Sequence, residues 1–143
     1  MEWLPLIFLI PYILLLLKLY EKLKTVRPYF AADRKNIFVT VVVACRNEES
    51  RLPDLLSSLS SQDYDHELFE VIVVDDHSED GTLNTALNYN GLTNLRVIAN
   101  KGTGKKKAVM TGAEAAKGDI IVTTDADCTM GSKWLTTIVS FYL

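Results

Sequence analysis

Apolar residues are distributed in two ways along this chain. From Trp3 to Leu17 they form one uncharged block, WLPLIFLIPYILLLL. After Asn36 they come in short runs: IFVTVVVA at 37–44, EVIVVD at 70–75, LRVIA at 95–99 and DIIVTTD at 119–125. The short runs are nearly continuous in Val, Ile and Leu, as strands buried on both faces of a parallel sheet are. Between them, residues 51–61 set Leu52, Leu55, Leu56 and Leu59 at helical spacing, and 83–89 and 108–116 also fit helices. A βαβαβαβ alternation with right-handed crossovers predicts an α/β fold, a doubly wound and mostly parallel sheet that takes its ligands beyond the carboxyl ends of its strands.

The first block is somewhat shorter than the roughly 20 residues a membrane-spanning helix needs, and Leu19 and Tyr20 extend it if Lys18 snorkels. Trp3 and Tyr20 stand at its two ends, while Lys18, Lys22, Lys24 and Arg27 follow it and only Glu2 precedes it. Positive charge after the block argues against a signal peptide and places the following residues in the cytoplasm. An interfacial helix would show one polar face, which is lacking here. Length alone leaves an apolar core helix open, but Pro5 and Pro11 are tolerated better in a membrane helix than in a soluble one. The expected organisation is a transmembrane anchor over 1–20, a basic connector over 21–36 and a globular part over 37–143.

Fifteen Lys and Arg against eighteen Asp and Glu give a net charge of −3, which supplies no broad basic surface for nucleic acid. Two cysteines, Cys45 and Cys128, fit neither a disulfide framework nor a zinc site and read as free thiols.

Candidate chemistry gathers where the strands end. The first run leads into Arg46, Asn47 and Glu48, the second into Asp75, Asp76, His77 and Ser78, the fourth into Asp125, Ala126 and Asp127. All three clusters belong to the same edge of the sheet, which favours one site built from three loops. Asp125 and Asp127 repel each other at short range unless a cation or donors offset them; Mg²⁺ or Mn²⁺, completed by waters and phosphates, suits such a pair, and an Asx turn is the competing reading. Ser78 or Asp80 can cap the next helix, and Asp76 can accept from a base or ribose hydroxyl. Gly102-Thr103-Gly104 opens into a helix whose amides and Lys105 can face a diphosphate, while Lys106 and Lys107 read as a solvated face.

In that order, VVVACRNEES, VIVVDDHSEDGT and GKKKAVMTGAEAAKGDIIVTTDAD resemble the motifs of family 2 glycosyltransferases, over about residues 39–128. The resemblance implies a GT-A fold and inverting transfer from a nucleotide diphosphate sugar, a uridine nucleotide by default and a guanosine nucleotide next. It implies that Ala44, Asn47, Glu48 and Asp76 line a nucleoside pocket supported by Asp75, that Lys105 approaches the diphosphate, and that Asp125 and Asp127 hold the donor through ribose and metal. Ala44 stands where many members have Pro. The family's catalytic base and its Q-x-x-R-W motif would lie beyond Leu143, so no residue here is assigned as the base, and the acceptor is not legible. A non-catalytic nucleotide-binding scaffold, a receiver domain, and a phosphatase reading of the D-x-D-x-T at Asp125 to Thr129 are the competing interpretations.

Overall fold

The computed structural model describes residues 4–25 and 37–142, and the chain divides into two units, Met1–Phe30 and Ala31–Leu143. The described residues of the first unit form one helix, α1, Leu4–Lys24, and the turn that follows it, with Pro11 inside the helix and its apolar side chains from Leu9 to Leu23 exposed. Among the described residues no helix is long and apolar enough to cross a membrane, so the single-pass anchor expected from the sequence is not established by the fold. Most of the expected connector, residues 26–36, lies outside the described residues, as does Trp3.

The second unit runs β1 (Val39–Cys45), α2 (Leu52–Ser60), a 3-10 turn (His66–Leu68), β2 (Phe69–Asp75), α3 (Thr82–Leu87), β3 (Leu95–Ala99), α4 (Lys105–Ala115), β4 (Ile120–Asp125) and α5 (Trp134–Tyr142). The strands form one parallel sheet in the order β3-β2-β1-β4, as a doubly wound α/β fold requires. β2 is buried along its whole length and β1 everywhere but Ala44, which explains their unbroken apolar runs. β4 departs from that expectation. It closes one edge of the four-stranded sheet, and Ile121, Thr123 and Asp125 are exposed on one of its faces; β3, at the other edge, departs too, with Leu95 to Ile98 only partly buried and Ala99 exposed.

Two layers cover the sheet. On one face α2 presents Leu52, Leu55, Leu56 and Leu59, all fully buried, to Val39, Val41 and Val43, and α5 adds Leu135 and Val139. Each such leucine contributes about 1.5–3 kcal/mol by leaving water. The other face meets α4, where Ala108 packs with Val42, Ile72 and Val74. α4 lies very close to the strands because of Gly112, where an added Cβ would stand 2.3 Å from a Val42 methyl. At the amino-terminal edge of the sheet, buried Glu70 is tied to Arg96 at 3.0 Å, Thr40 at 2.9 Å and the Lys117 amide at 2.9 Å. Burial pushes that carboxyl up, and the three bonds together outweigh it and hold it below the usual carboxylate range.

Candidate functional site at the switch between β1 and β4

The chain winds outward from β1 through β2 to β3, then returns across the other face of the sheet to place β4 on the far side of β1. The carboxyl ends of β1 and β4 therefore diverge into separate loops, and a crevice opens between them. A cavity of about 480 Å³ lies there. β1 and its loop supply Ala44, Cys45, Arg46 and Glu48; the loop after β2 supplies Asp76; the start of α4 supplies Gly104 and Lys105; β4 and its loop supply Asp125, Ala126 and Asp127. Register alone brings Ala44 opposite Asp125 and Cys45 opposite Asp75.

The loops after β1 and β2 are locked together. Asn47 and His77 both adopt left-handed backbone, at φ 56° and 59°, which turns each loop sharply at its strand end. The Asn47 amide donates to Ser78 Oγ at 3.0 Å, Asn47 Oδ1 accepts from the Glu79 amide at 2.8 Å, and the Glu48 amide donates to Thr82 Oγ1 at 2.7 Å. The N-cap of α3 is Gly81, with no side-chain cap, so neither Ser78 nor Asp80 fills that position; Asp80 accepts from the Thr82 amide at 3.0 Å. His77 donates through Nε2 to the Gly102 carbonyl at 2.8 Å, which makes it a loop tie.

Asp76 organises the base of the cavity. Asn100 Nδ2 donates to its Oδ1 at 2.6 Å, and the Gly104 amide reaches Oδ2 at 2.9 Å. The Asn100 bond chiefly holds Asp76 below the usual carboxylate range, against burial and with help from Gly104 and the Arg46 charge. Asn100 is itself fixed by Thr111 Oγ1 at 3.2 Å and the Gly102 amide at 3.1 Å. Neighbouring Asp75 accepts from the Ser78 amide at 3.3 Å through Oδ2, and its other oxygen is buried without a partner among the described residues.

On the opposite side Lys105 Nζ sits 2.7 Å from Oδ1 and 2.8 Å from Oδ2 of Asp125. That hydrogen bond, then the Asp125 charge, holds the ammonium above the usual lysine range. Among the described residues no three His, Cys, Asp or Glu side chains gather into a metal cage. Asp125 and Asp127 are nonetheless hard oxygen donors facing one cavity, and Asp125 already holds a cation through both oxygens. That donor set would suit a Mg²⁺ or Mn²⁺ ion, which keeps several waters and needs few protein carboxylates. Cys45 Sγ donates to the Val74 carbonyl at 3.5 Å, and its thiol is pushed up to about 12 by burial first and then by Asp75 and Glu48, so it stays protonated and is no nucleophile.

The sequence profile described as Glycosyl transferase family 2 matches residues 40–143. The chain belongs to family 2 of the glycosyltransferases. A curated family relative, the undecaprenyl-phosphate 4-deoxy-4-formamido-L-arabinose transferase of Aeromonas hydrophila, is 40% identical over 93 residues, covering 62% of this chain and 28% of the relative. The chain thus spans less than a third of that protein. Among solved structures, the mannosyltransferase PcManGT of Pyrobaculum calidifontis, in complex with GDP-Man and Mn²⁺, superposes with a TM-score of 0.72 at 30% identity, covering 88% of this chain and 39% of that one. S. aureus TarS 1-349 in complex with UDP-GlcNAc gives 0.66 at 31% identity over 73% of this chain and 31% of that one. Membership in family 2 rules against the receiver and phosphatase interpretations, and Asp125 accordingly ends the fourth strand of this sheet and not its first.

Of the family 2 residues carried onto this sequence, the cavity brings together Ala44, Glu48, Asp76, Lys105, Asp125 and Asp127. Asn47 and Asp75 are not in its lining; Asn47 spends its carboxamide on bracing the neighbouring loop, and Asp75 is 8% exposed. Sequence reasoning passed over Asn100 and left Arg46 without a role. Asn100 was visible in principle as the first polar residue after LRVIA, at the same sheet edge as the other three clusters.

Proposed function

We propose that this chain forms the donor-binding part of an inverting glycosyltransferase that uses a nucleotide diphosphate sugar. The observation carrying this reading is that one cavity at the β1–β4 switch collects acids, a lysine and a helix amino terminus from three strand ends. In it, Ala44, Glu48 and Asp76 line the nucleoside side with Asn47 and Asp75 supporting them. Lys105 offsets charge on the departing diphosphate, and Asp125 and Asp127 hold the donor through ribose and metal. Bound Mg²⁺ or Mn²⁺ would supply Lewis-acid stabilisation of that leaving group. No cavity residue is assigned as the base that deprotonates the acceptor; that role falls to the portion of the relatives this chain does not span. The bound relatives, one with UDP-GlcNAc and one with GDP-Man and Mn²⁺, support both the donor class and the metal, with uridine diphosphate sugars as the first candidates.

Calorimetric titration of the full chain with UDP and with GDP, each with and without Mn²⁺, tests the reading. Metal-dependent binding of one nucleotide supports it and names the base; a folded chain that binds neither leaves a scaffold role. Turnover of a sugar nucleotide by this chain alone would contradict the assignment of the base elsewhere.

We further propose that α1 anchors the chain in a bilayer, with the second unit in the cytoplasm. Exposed Leu, Ile and Tyr side chains from Leu9 to Leu23 support this, as do Lys22 and Lys24 in the last turn and the snorkelling reach of Lys18. Release of the chain from membranes by alkaline carbonate would overturn it.

A further inference from the structure

Three lysines, Lys105, Lys106 and Lys107, open α4, whose first turn carries no acid. A helix dipole disfavours cations there, so a partner from elsewhere relieves Lys105, and that partner is Asp125, twenty residues away, held through both oxygens at 2.7 and 2.8 Å. The backbone of the lysine is fixed, because the adjoining Gly104 amide is bonded to Asp76. The side chain is not: Lys105 is 67% and Asp125 51% exposed, and an ion pair so exposed is weak and easily exchanged.

We propose that Lys105 is a tethered substitute for the divalent cation, occupying Asp125 until a donor diphosphate draws the ammonium away, so that metal and diphosphate bind together. The inference rests on the donor-site reading above and adds an order to it. Of the charged groups lining the cavity, Glu48, Asp76, Asp125 and Asp127 are acidic and only Arg46 and Lys105 are basic. Asp125 with Lys105 attached is a poor ligand for a second cation. Once the ammonium moves to a diphosphate, the Asp125–Asp127 pair is left without its cation and the metal replaces it. Because coupling is reciprocal, nucleotide raises metal affinity by the same factor that metal raises nucleotide affinity.

The test is Mn²⁺ binding by the full chain, followed by the electron paramagnetic resonance of free Mn²⁺, with and without UDP or GDP. Wild type is compared with Lys105→Gln, Lys105→Arg and Arg46→Gln, each checked for an unchanged circular dichroism spectrum. Without nucleotide, Lys105→Gln should bind Mn²⁺ about three- to fivefold more tightly than wild type, the scale of one exposed ion pair. Lys105→Arg should stay near wild type. Arg46→Gln, which removes a cavity charge with no contact to Asp125, should gain less than half as much. The nucleotide-induced rise in Mn²⁺ affinity should shrink in Lys105→Gln. If nucleotide binds wild type but Lys105→Gln gains no Mn²⁺ affinity, or Arg46→Gln gains equally, this inference fails alone. If wild type binds no nucleotide at any Mn²⁺ concentration, the donor-site reading fails and takes this inference with it.

Discussion

On the β2 side Asp76, which lines the cavity, and Asp75 behind it are 5% and 8% exposed, and Asp76 is held by Asn100 and Gly104. On the β4 side the Asp125 and Lys105 side chains are 51% and 67% exposed and are paired with each other. The first side is preformed, its carboxylate held in place by hydrogen bonds within the chain. The second is a set of charges that water screens and that can rearrange around a ligand. The difference follows from strand position: β2 lies inside the sheet, whereas β4 is its edge. A nucleoside has fixed shape and rewards rigidity; a metal diphosphate brings its own charge and waters and rewards side chains free to exchange partners.

The largest effect expected removes both sides at once. Leu55→Ala or Leu56→Ala, in the fully buried α2 layer beneath β1, should cost about 2–5 kcal/mol of stability, read as a lower denaturant midpoint. Loss of nucleotide binding should track loss of fold, with no preference for either side of the cavity.

Asn100→Ala tests the rigid side alone. It leaves the buried Asp76 carboxylate short of its strongest bond and the Gly102 amide without an acceptor, and should cost about 1–3 kcal/mol. Nucleotide affinity should fall while the Mn²⁺ binding proposed for Asp125 and Asp127 persists. A variant as stable as wild type would show that the Asn100 network is not what holds this side.

Titration separates the sides next. Asp76 has a folded pKa below its unfolded value, so its stabilisation is complete above that unfolded value, near 4, and is lost as pH falls through the lower folded value. Glu70 and Asp80 shift in the same direction and weaken the fold over the same acid range. The informative quantity is therefore the difference between wild type and Asp76→Asn: acid unfolding should be shallower in the variant. Equal slopes would mean that Asp76 contributes no linkage.

Much of this contrast could be read from residues before any coordinates. The buried runs at 37–44 and 70–75 fixed the central strands to within two residues, because continuous Val and Ile leave little else for them to be. LRVIA and DIIVTTD carry the same apolar signal without being doubly buried, since the character of an edge strand depends on neighbours that a local pattern cannot show. α4 begins at Lys105, three residues earlier than its apolar residues suggested, because polar lysines in a first turn carry no periodic signal. Asp76, Asp125 and Asp127 follow or end apolar runs and Lys105 follows a glycine-rich loop, so each stands out locally, whereas the bracing turn of Asn47 and the bond of Asn100 to Asp76 depend on tertiary pairing.

The smallest stability change is expected on the mobile side, and it is the most informative about chemistry. Asp127→Asn replaces an exposed carboxylate, so stability should stay within about 0.5 kcal/mol of wild type. Removing its charge weakens one of the two carboxylates proposed to hold a metal at this edge, leaving a neutral carboxamide oxygen, while the Lys105–Asp125 pair stays in place. Nucleotide binding should therefore lose its dependence on Mn²⁺ and settle near the metal-free level of wild type. If Mn²⁺ still strengthens binding in Asp127→Asn as it does in wild type, the metal is held by the diphosphate and Asp125 without Asp127, and the two acids of Asp125-Ala126-Asp127 have separate tasks. If stability falls along with binding, Asp127 belongs to the rigid framework, and the division between a preformed nucleoside side and an exchangeable phosphate side has to be redrawn at β4.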